Sequence, residues 1–185
     1  MDVHFIGEIK GATGFHFPNL TCRFKVIGCD DTHWRLEAGD MEGFTQIAGQ
    51  TSLSKVVWNH PLDMHFFADS VETWPSLYLE VWGQDEYGRN TLAAYGQCLL
   101  PPTPGDGICL ECATWRPEGS LMERIKSLFL GSHPQLQTPE EASLATSRFP
   151  LRTESMGTVS LELSVVMSDP LAGGVILPSN HQDPH

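Results

Sequence analysis

The sequence predicts an all-β protein, an antiparallel β-sandwich into which one amphipathic helix is inserted. Apolar and polar residues alternate along several segments, which is typical of strands that place one face on a core. Glycine and proline separate these segments, and there are no repeating strand–helix units of the kind that a parallel α/β sheet requires. We therefore expect one β domain over residues 1–168 and a disordered tail over 169–185, which is rich in Pro, Gly, Asn and His.

Period-two alternation predicts the strands and the direction of their side chains. The strands cover residues 3–9, 20–26, 62–67, 77–82, 92–100 and 159–167. In the fourth of them Leu79 and Val81 face the core, whereas Tyr78 and Trp82 point outward. Outward aromatic side chains are more typical of an interface than of bare surface, so we predict that Tyr78 and Trp82 contact a partner.

The segment SLMERIKSLFLG departs from the strand pattern and has helical periodicity. Its apolar residues share one stripe of a helix: Leu121, Met122, Ile125, Leu128 and Phe129. Ser120 and Glu123 match a capping box at the start, and Gly131 supplies a stop at the end. We predict one helix near 120–130, inserted before the last strand.

The overall charge argues against several classes of partner. A formal net charge of −12 repels nucleic acid, since proteins that bind it rely on Lys and Arg to neutralise phosphates. The same charge weakens adsorption to anionic lipid, so we expect no nucleic-acid partner and at most weak membrane association. The opening MDVHFIGEIKGATGF has neither a basic region nor an unbroken apolar stretch, which predicts a cytosolic protein with reduced cysteines.

The stretch GQDEYGR, residues 83–89, contains two acids that could bend a hairpin or bind a cation. Calcium needs about six to eight oxygen ligands, usually from several aspartates that converge from more than one loop. The pairs Asp85 with Glu86 and Asp30 with Asp31 lack that density. A hairpin turn bracketed by Gly83 and Gly88 is therefore the favoured interpretation, and calcium is the alternative.

Two further motifs have the spacing of metal half-sites. CLEC at 109–112 is half of a zinc site, but no second C-x-x-C completes it. Asp63 and His65 share a strand face without a third ligand nearby. The sequence also has no G-x-S-x-G turn and no glycine-rich phosphate loop. We predict no catalytic residue, no metal, no cofactor and no small-molecule substrate; an enzyme with a triad assembled from distant residues is the weaker hypothesis.

Four motifs, in this order, resemble the B9-domain family of ciliary transition-zone proteins. They are WNHPLDMHF at 58–66, WPSLYLEVWGQDEYGR at 74–89, AAYGQCLLPPTPG at 93–105 and CATWRPEGS at 112–120. The opening VHFIGEIKGATGF resembles one of the small members of that family. The similarity runs from about residue 3 to residue 167, over essentially the whole predicted domain.

This resemblance implies a C2-like β-sandwich without catalytic activity. It implies a scaffold subunit that associates with two other B9-domain proteins in the Meckel-syndrome complex, at the transition zone and basal body of the cilium. Shape-setting roles are expected for the motif positions Trp58, Pro61, Trp74, Pro75, Gly88, Tyr95, Gly96, Pro104, Gly105, Trp115 and Pro117. The alternative is a peripheral lipid-binding C2-like module, to which Arg124 and Lys126 of the predicted helix would contribute.

Overall fold

The computed structural model describes residues 1–29, 33–70, 73–117, 153–169 and 174–176. Its strands are β1 (Asp2–Thr13), β2 (Asn19–Ile27), β3 (Trp34–Gly39), β4 (Glu42–Phe44), β5 (Ala48–Gly49), β6 (Lys55–Ala68), β7 (Ser76–Gln84), β8 (Asn90–Leu99), β9 (Gly105–Pro117), β10 (Thr153–Asp169) and β11 (Gly174–Ile176). The helix expected near 120–130 lies outside the described residues. Within the tail expected over 169–185, β11 pairs with the end of β10, and the domain boundary at 168 stays a prediction.

The strands form one continuous antiparallel sheet. Its order is β3-β6-β1-β10-β9-β8-β7-β2-β4, with β5 beside β2 and β11 beside β10. Along this order the register is shortest between β8 and β9, which are paired only at Tyr95 with Trp115 and at Gly96 with Thr114. This junction separates a first layer (β3, β6, β1, β10 and β9) from a second layer (β8, β7, β2 and β4).

Strands from opposite ends of this order are in contact, so the sheet is curled into a sandwich. Trp58 of β6 donates from Nε1 to the carbonyl oxygen of Leu20 in β2 at 3.2 Å. The rings of Phe24 and His60, also on β2 and β6, lie 5.5 Å apart. Gln46, between β4 and β5, donates from Nε2 to the Trp58 carbonyl oxygen at 2.5 Å. The antiparallel sandwich predicted from the sequence is thus confirmed.

A hydrophobic core fills the space between the two layers. The inward residues of β10 are at most 6% exposed: Val159, Leu161, Leu163, Val165 and Met167. From the second layer, Leu77, Leu79 and Val81 of β7 are fully buried against the same core. Each such side chain stabilises the folded state by roughly 1.5–3 kcal/mol. The alternation seen in the sequence therefore leaves the side of each layer that faces away from the core for contacts outside it.

Candidate interaction surface

An aromatic cluster lies on the side of β7 and β8 that faces away from the main core. Its buried members are Tyr78, Leu92, Tyr95 and Trp115, and Ile27 and Trp82 pack against them. β7 places Tyr78 and Trp82 there because Leu77, Leu79 and Val81 occupy the opposite face of the strand. We name these six residues, together with Glu80 between Tyr78 and Trp82, the aromatic face.

Tyr78 is buried, which corrects one expectation from the sequence. It is 2% exposed, and Trp82 is partly buried. The Tyr78 ring stacks on Tyr95 with a centroid distance of 6.3 Å, and Tyr95 contacts Trp115 at 5.4 Å. The prediction of an exposed, outward-pointing Tyr78 is wrong in its exposure, because aromatic side chains from β8 and β9 lie beside it. Partner contact by Tyr78 and Trp82 stays a prediction.

Glu80 is a buried carboxylate at the centre of this face, only 4% exposed. Trp82 donates from Nε1 to Glu80 Oε2 at 3.2 Å, and the Tyr78 hydroxyl donates to Oε1 at 3.4 Å. Arg23, its cross-strand neighbour on β2, places Nη1 3.6 Å from Oε2. Burial of a carboxylate is costly unless such donors and an opposite charge surround it. Sequence reasoning missed this role; the signal was an acid at an outward position between two aromatics.

Arg23 connects the buried acid to the edge of the second layer. Its Nη2 lies 3.3 Å from Glu42 Oε2, and its guanidinium carbon lies 5.9 Å from the centroid of the Phe44 ring. Glu80, Arg23 and Phe44 thus form a continuous series of contacts from the aromatic face to β4. Tryptophan, tyrosine and arginine are the residue types that contribute most to binding at protein interfaces.

The β7–β8 turn holds Asp85 as a structural residue. Asp85 Oδ1 accepts the N–H groups of Tyr87 and Arg89, each at 2.9 Å, and its Oδ2 accepts Arg89 Nε at 2.7 Å. These hydrogen bonds lower the pKa of Asp85, and the bond donated by the Arg89 backbone N–H contributes most. Gly88 has φ of 76°, and Glu86 is exposed. The acids of this stretch therefore differ: Asp85 orders the turn, and Glu86 faces solvent.

The C-x-x-C motif does not bring its two thiols together. Cys109 is exposed and Cys112 is buried, since residues three apart in a strand face opposite sides. Cys112 lies instead with Cys98, and a hydrogen bond between these two thiols, together with burial, raises the pKa of Cys98. Burial likewise raises the pKa of Cys22. In the ranges that the structure describes, no cluster of His, Cys, Asp or Glu is suited to hold a metal ion.

Asp63 and His65 are likewise not partners of each other. His65 Nε2 lies 3.0 Å from Asp2 Oδ1 on β1, and its ring stacks on His4 at 3.8 Å. Burial is the largest cause that lowers the pKa of His4, and the neighbouring His65 lowers it further. Asp2 and Asp63 act in the opposite direction. The group is a cross-strand polar cluster on the outer side of the first layer. Asp30 and Asp31 lie outside the described residues.

A cavity of about 380 Å³ lies where the edges of the two layers approach each other. Its lining combines apolar and titratable side chains: Phe24, Phe44, Leu62, Asp40, Glu42, His60 and Asp63. Glu42 is paired with Arg23, and the lining residues include no serine, cysteine or lysine that could act as a nucleophile. This cavity supplies carboxylates and one imidazole but not the nucleophile–base pair of a hydrolase.

Several family-motif positions hold the backbone in place. Trp74 donates from Nε1 to the Leu100 carbonyl oxygen at 2.9 Å, and the Leu100 N–H binds the Pro75 carbonyl oxygen at 3.1 Å. Gly96 packs closely beneath the Cys112 sulfur, which leaves little room for a side chain. These contacts are structural, and direct partner binding by any motif position stays a prediction.

The fold and this surface define a β-sandwich with a packed aromatic cluster on the outer side of one layer. Comparison with known proteins identifies its family. The family model B9-C2, described as "Ciliary basal body-associated, B9 protein", matches residues 3–166. B9 domain-containing protein 2 of Bos taurus is 42% identical over 166 residues, which cover 90% of this chain and 93% of that protein. B9 domain-containing protein 1 of Xenopus laevis is 28% identical, with coverage of 88% and 82%. The chain therefore belongs to the B9 family of ciliary, basal body-associated proteins.

Among solved structures, a C2 domain of plant Extended Synaptotagmin 1 aligns with a TM-score of 0.48 at 10% identity. The alignment covers 89% of this chain and 92% of that one. As for the bilayer, none of the described segments forms a helix with the length and apolarity needed to cross it.

Proposed function

We propose that the protein is a non-catalytic scaffold subunit of a complex at the ciliary transition zone, where it associates with other B9-domain proteins. In this role it supports cilium assembly and controls the entry of membrane proteins into the cilium. Family membership supports the ciliary setting. The similarity to B9 domain-containing protein 1 supports the choice of other B9-domain proteins as candidate partners.

The aromatic face is the observation that supports a binding role most directly. A buried carboxylate that receives bonds from a tryptophan and a tyrosine, with an arginine beside it, forms a rigid group of side chains. Rigid aromatic anchors lose little conformational entropy when a partner binds. Trp82, which is partly buried at the margin of this face, is the side chain that we assign to the contact.

Co-expression of the chain with other B9-domain proteins tests the proposal. Size-exclusion chromatography of the mixture is expected to show the chain in a hetero-complex that survives dilution and pull-down through either partner. A chain that elutes alone as a stable monomer, in the presence of each B9-domain protein in turn, would contradict the proposal.

A peripheral membrane module is the second candidate, and one specific observation favours it. Three large apolar side chains from the end of β4 to the loop before β6 are strongly exposed: Phe44 at 61%, Ile47 at 52% and Leu53 at 85%. Exposed large apolar side chains suit insertion into a bilayer, whereas the net charge of −12 opposes adsorption to anionic lipid.

Vesicle flotation separates the two candidates. A scaffold is expected to stay in solution with neutral and with anionic vesicles, in the presence or absence of calcium. Flotation that is abolished by the combined Phe44→Ser, Ile47→Ser and Leu53→Ser variant, but not by Tyr87→Ser on the β7–β8 turn, would favour the membrane module instead.

A further inference from the structure

The cavity of about 380 Å³ between the edges of the two layers has apolar walls. Four side chains form these walls: Phe24, Phe44, Pro61 and Leu62. Phe24 and Leu62 are buried, and the Phe24 ring lies 5.5 Å from the ring of His60. Because β2 and β4 supply one wall and β6 supplies the other, the cavity is a cleft between the layers. We call it the β4–β6 cleft.

Three acidic residues line the rim of this cleft, and only one of them is paired with a cation. Glu42 pairs with Arg23 at 3.3 Å. Asp40 and Asp63 are exposed, and neither forms an ion pair with another described residue. They belong to different elements, but Gly39, with φ of 94°, brings the β3–β4 turn into contact with the Asp63 carbonyl oxygen. The two unpaired acidic residues are therefore neighbours on the rim.

The contacts of Arg23 show which chemical group such a combination of residues binds. Its guanidinium carbon lies 5.9 Å from the centroid of the Phe44 ring, and its Nη2 contacts Glu42. A guanidinium is planar, so it stacks on an aromatic ring and donates to a carboxylate at the same time, whereas an ammonium is a compact point charge. Phe44 is still 61% exposed beside Arg23. With Asp40 and Asp63 unpaired, the cleft offers a second guanidinium the same two kinds of contact.

The open mouth of the cleft favours a side chain of a partner protein over a free small molecule. Pro61, Asp40 and Asp63 are all exposed at this mouth. A pocket for a small molecule usually encloses about 70–90% of the surface of its ligand. A side chain needs less enclosure, because the rest of the partner protein covers the mouth. The net charge of −12 attracts a basic partner, whereas a second copy of this chain brings two acidic rims together.

We propose that the β4–β6 cleft binds an arginine side chain of a partner protein. The guanidinium stacks on Phe44 and donates hydrogen bonds to the carboxylates of Asp40 and Asp63. The methylene groups of the arginine lie along the apolar wall that includes Leu62. This site lies between the edges of the two layers, whereas Trp82 lies on the aromatic face. The proposal therefore goes beyond the proposed function and holds whether or not the aromatic face binds a B9-domain protein.

Titration of the isotope-labelled full chain with arginine capped at both ends, followed by NMR, tests the proposal. Saturable shifts are expected for the amides of Gly39, Asp40 and Gly43. The dissociation constant is expected to be roughly millimolar, since a single side chain makes the whole contact. Capped citrulline has a similar shape without the charge and is expected to bind at least about tenfold more weakly. Capped lysine is expected to bind about threefold more weakly, because its ammonium does not stack.

A peptide in which Gly and Ser flank the arginine on both sides distinguishes a partner protein from a free small molecule. It is expected to bind within about twofold of capped arginine, because the open mouth leaves the main chain of the peptide outside the cleft. Loss of binding for this peptide would show that the cleft admits a free small molecule but no side chain of a protein, and it would overturn the proposal.

Variants of the chain assign the contacts within the cleft. Asp40→Asn and Asp63→Asn are each expected to weaken the binding of capped arginine by roughly threefold to tenfold. Glu86→Gln, an equal charge change on the exposed β7–β8 turn, is expected to weaken it less than about twofold. Phe44→Leu keeps an apolar wall and is expected to weaken the binding of capped arginine more than that of capped lysine. Trp82→Ala is expected to leave arginine binding unchanged, which separates this cleft from the aromatic face.

Three further outcomes would each overturn the proposal. The first is the absence of saturable shifts at Gly39, Asp40 and Gly43 in the titration with capped arginine. The second is equal binding of capped citrulline and capped arginine. The third is an equal loss of binding in Glu86→Gln and Asp40→Asn, which would show that the overall charge of the protein attracts the probe.

Discussion

At the scale of single residues, Glu80 gives the aromatic face its polar centre. The sequence shows an acid at an outward position of a predicted strand, and period two correctly predicts its side. It does not show that Arg23 is the cross-strand neighbour, because that pairing depends on the register between β2 and β7. The burial of Tyr78 was unpredictable for the same reason, since Tyr95 and Trp115 reach it from other strands.

Removal of the Glu80 carboxylate is expected to destabilise the fold. Glu80→Ala leaves the Trp82 and Tyr78 donors without their acceptor and removes one of the two carboxylates beside Arg23, which costs about 2–3 kcal/mol in the free energy of unfolding. Glu80→Gln keeps one acceptor oxygen and is expected to cost about 1 kcal/mol. Urea unfolding followed by tryptophan fluorescence measures both, with Glu86→Ala as the exposed control. An unfolding midpoint of Glu80→Ala equal to that of the control would show that the buried carboxylate is dispensable.

The His4 cluster is expected to make stability depend on pH. The pKa of His4 is lowered from 6.5 in the folded chain, by burial and by the stacked His65, against the opposing effect of Asp2 and Asp63. The unfolded chain therefore takes up this proton first as the pH falls, so stability present above about pH 6.5 is lost below it. His4→Gln is expected to reduce the difference in Tm between about pH 7.5 and pH 5.5. The same Tm difference in wild type and variant would contradict this assignment.

At the scale of elements, the regular strands were predictable and the irregular ones were not. β2, β7 and β10 alternate large apolar with polar side chains and were predicted from the sequence. β9 alternates too, but the inward residues in its second half are the small Cys112 and Thr114, so its pattern is weak there. β3, β4 and β5 are short or irregular, and only their contacts with β2 and β6 define them.

The β7–β8 turn depends on one glycine. Gly88 has φ of 76° and no atom within 4 Å of the position that a Cβ would take, so a side chain meets conformational strain without a clash. Gly88→Val is expected to lower the free energy of unfolding by roughly 1–2 kcal/mol. Thermal unfolding measures this effect, and Gly88→Asn, which tolerates positive φ, is expected to lose less. Equal losses for Val and Asn would show that the backbone conformation is not the cause.

At the scale of the whole molecule, the sandwich is closed by contacts between strands that are distant in the sequence. The Trp58 indole reaches Leu20 across the two layers, and Gln46 holds the Trp58 carbonyl from a third segment. Alternation predicts two faces for each strand but not which strands meet, so the sandwich class was predictable and its closure was not. The same closure leaves the aromatic face on the side of the second layer that points away from the main core.

The affinity of the chain for the B9-domain partners that we propose, measured for Trp82→Ala and for Tyr87→Ala, tests the central claim most directly. Tyr87 is an equally aromatic side chain, 84% exposed on the β7–β8 turn, and serves as the matched control. Trp82→Ala is expected to weaken binding by roughly tenfold or more, because it removes the side chain that we assign to the contact, while Tyr87→Ala binds as wild type does. Wild-type affinity of a correctly folded Trp82→Ala variant would contradict the claim that the aromatic face is the interaction surface.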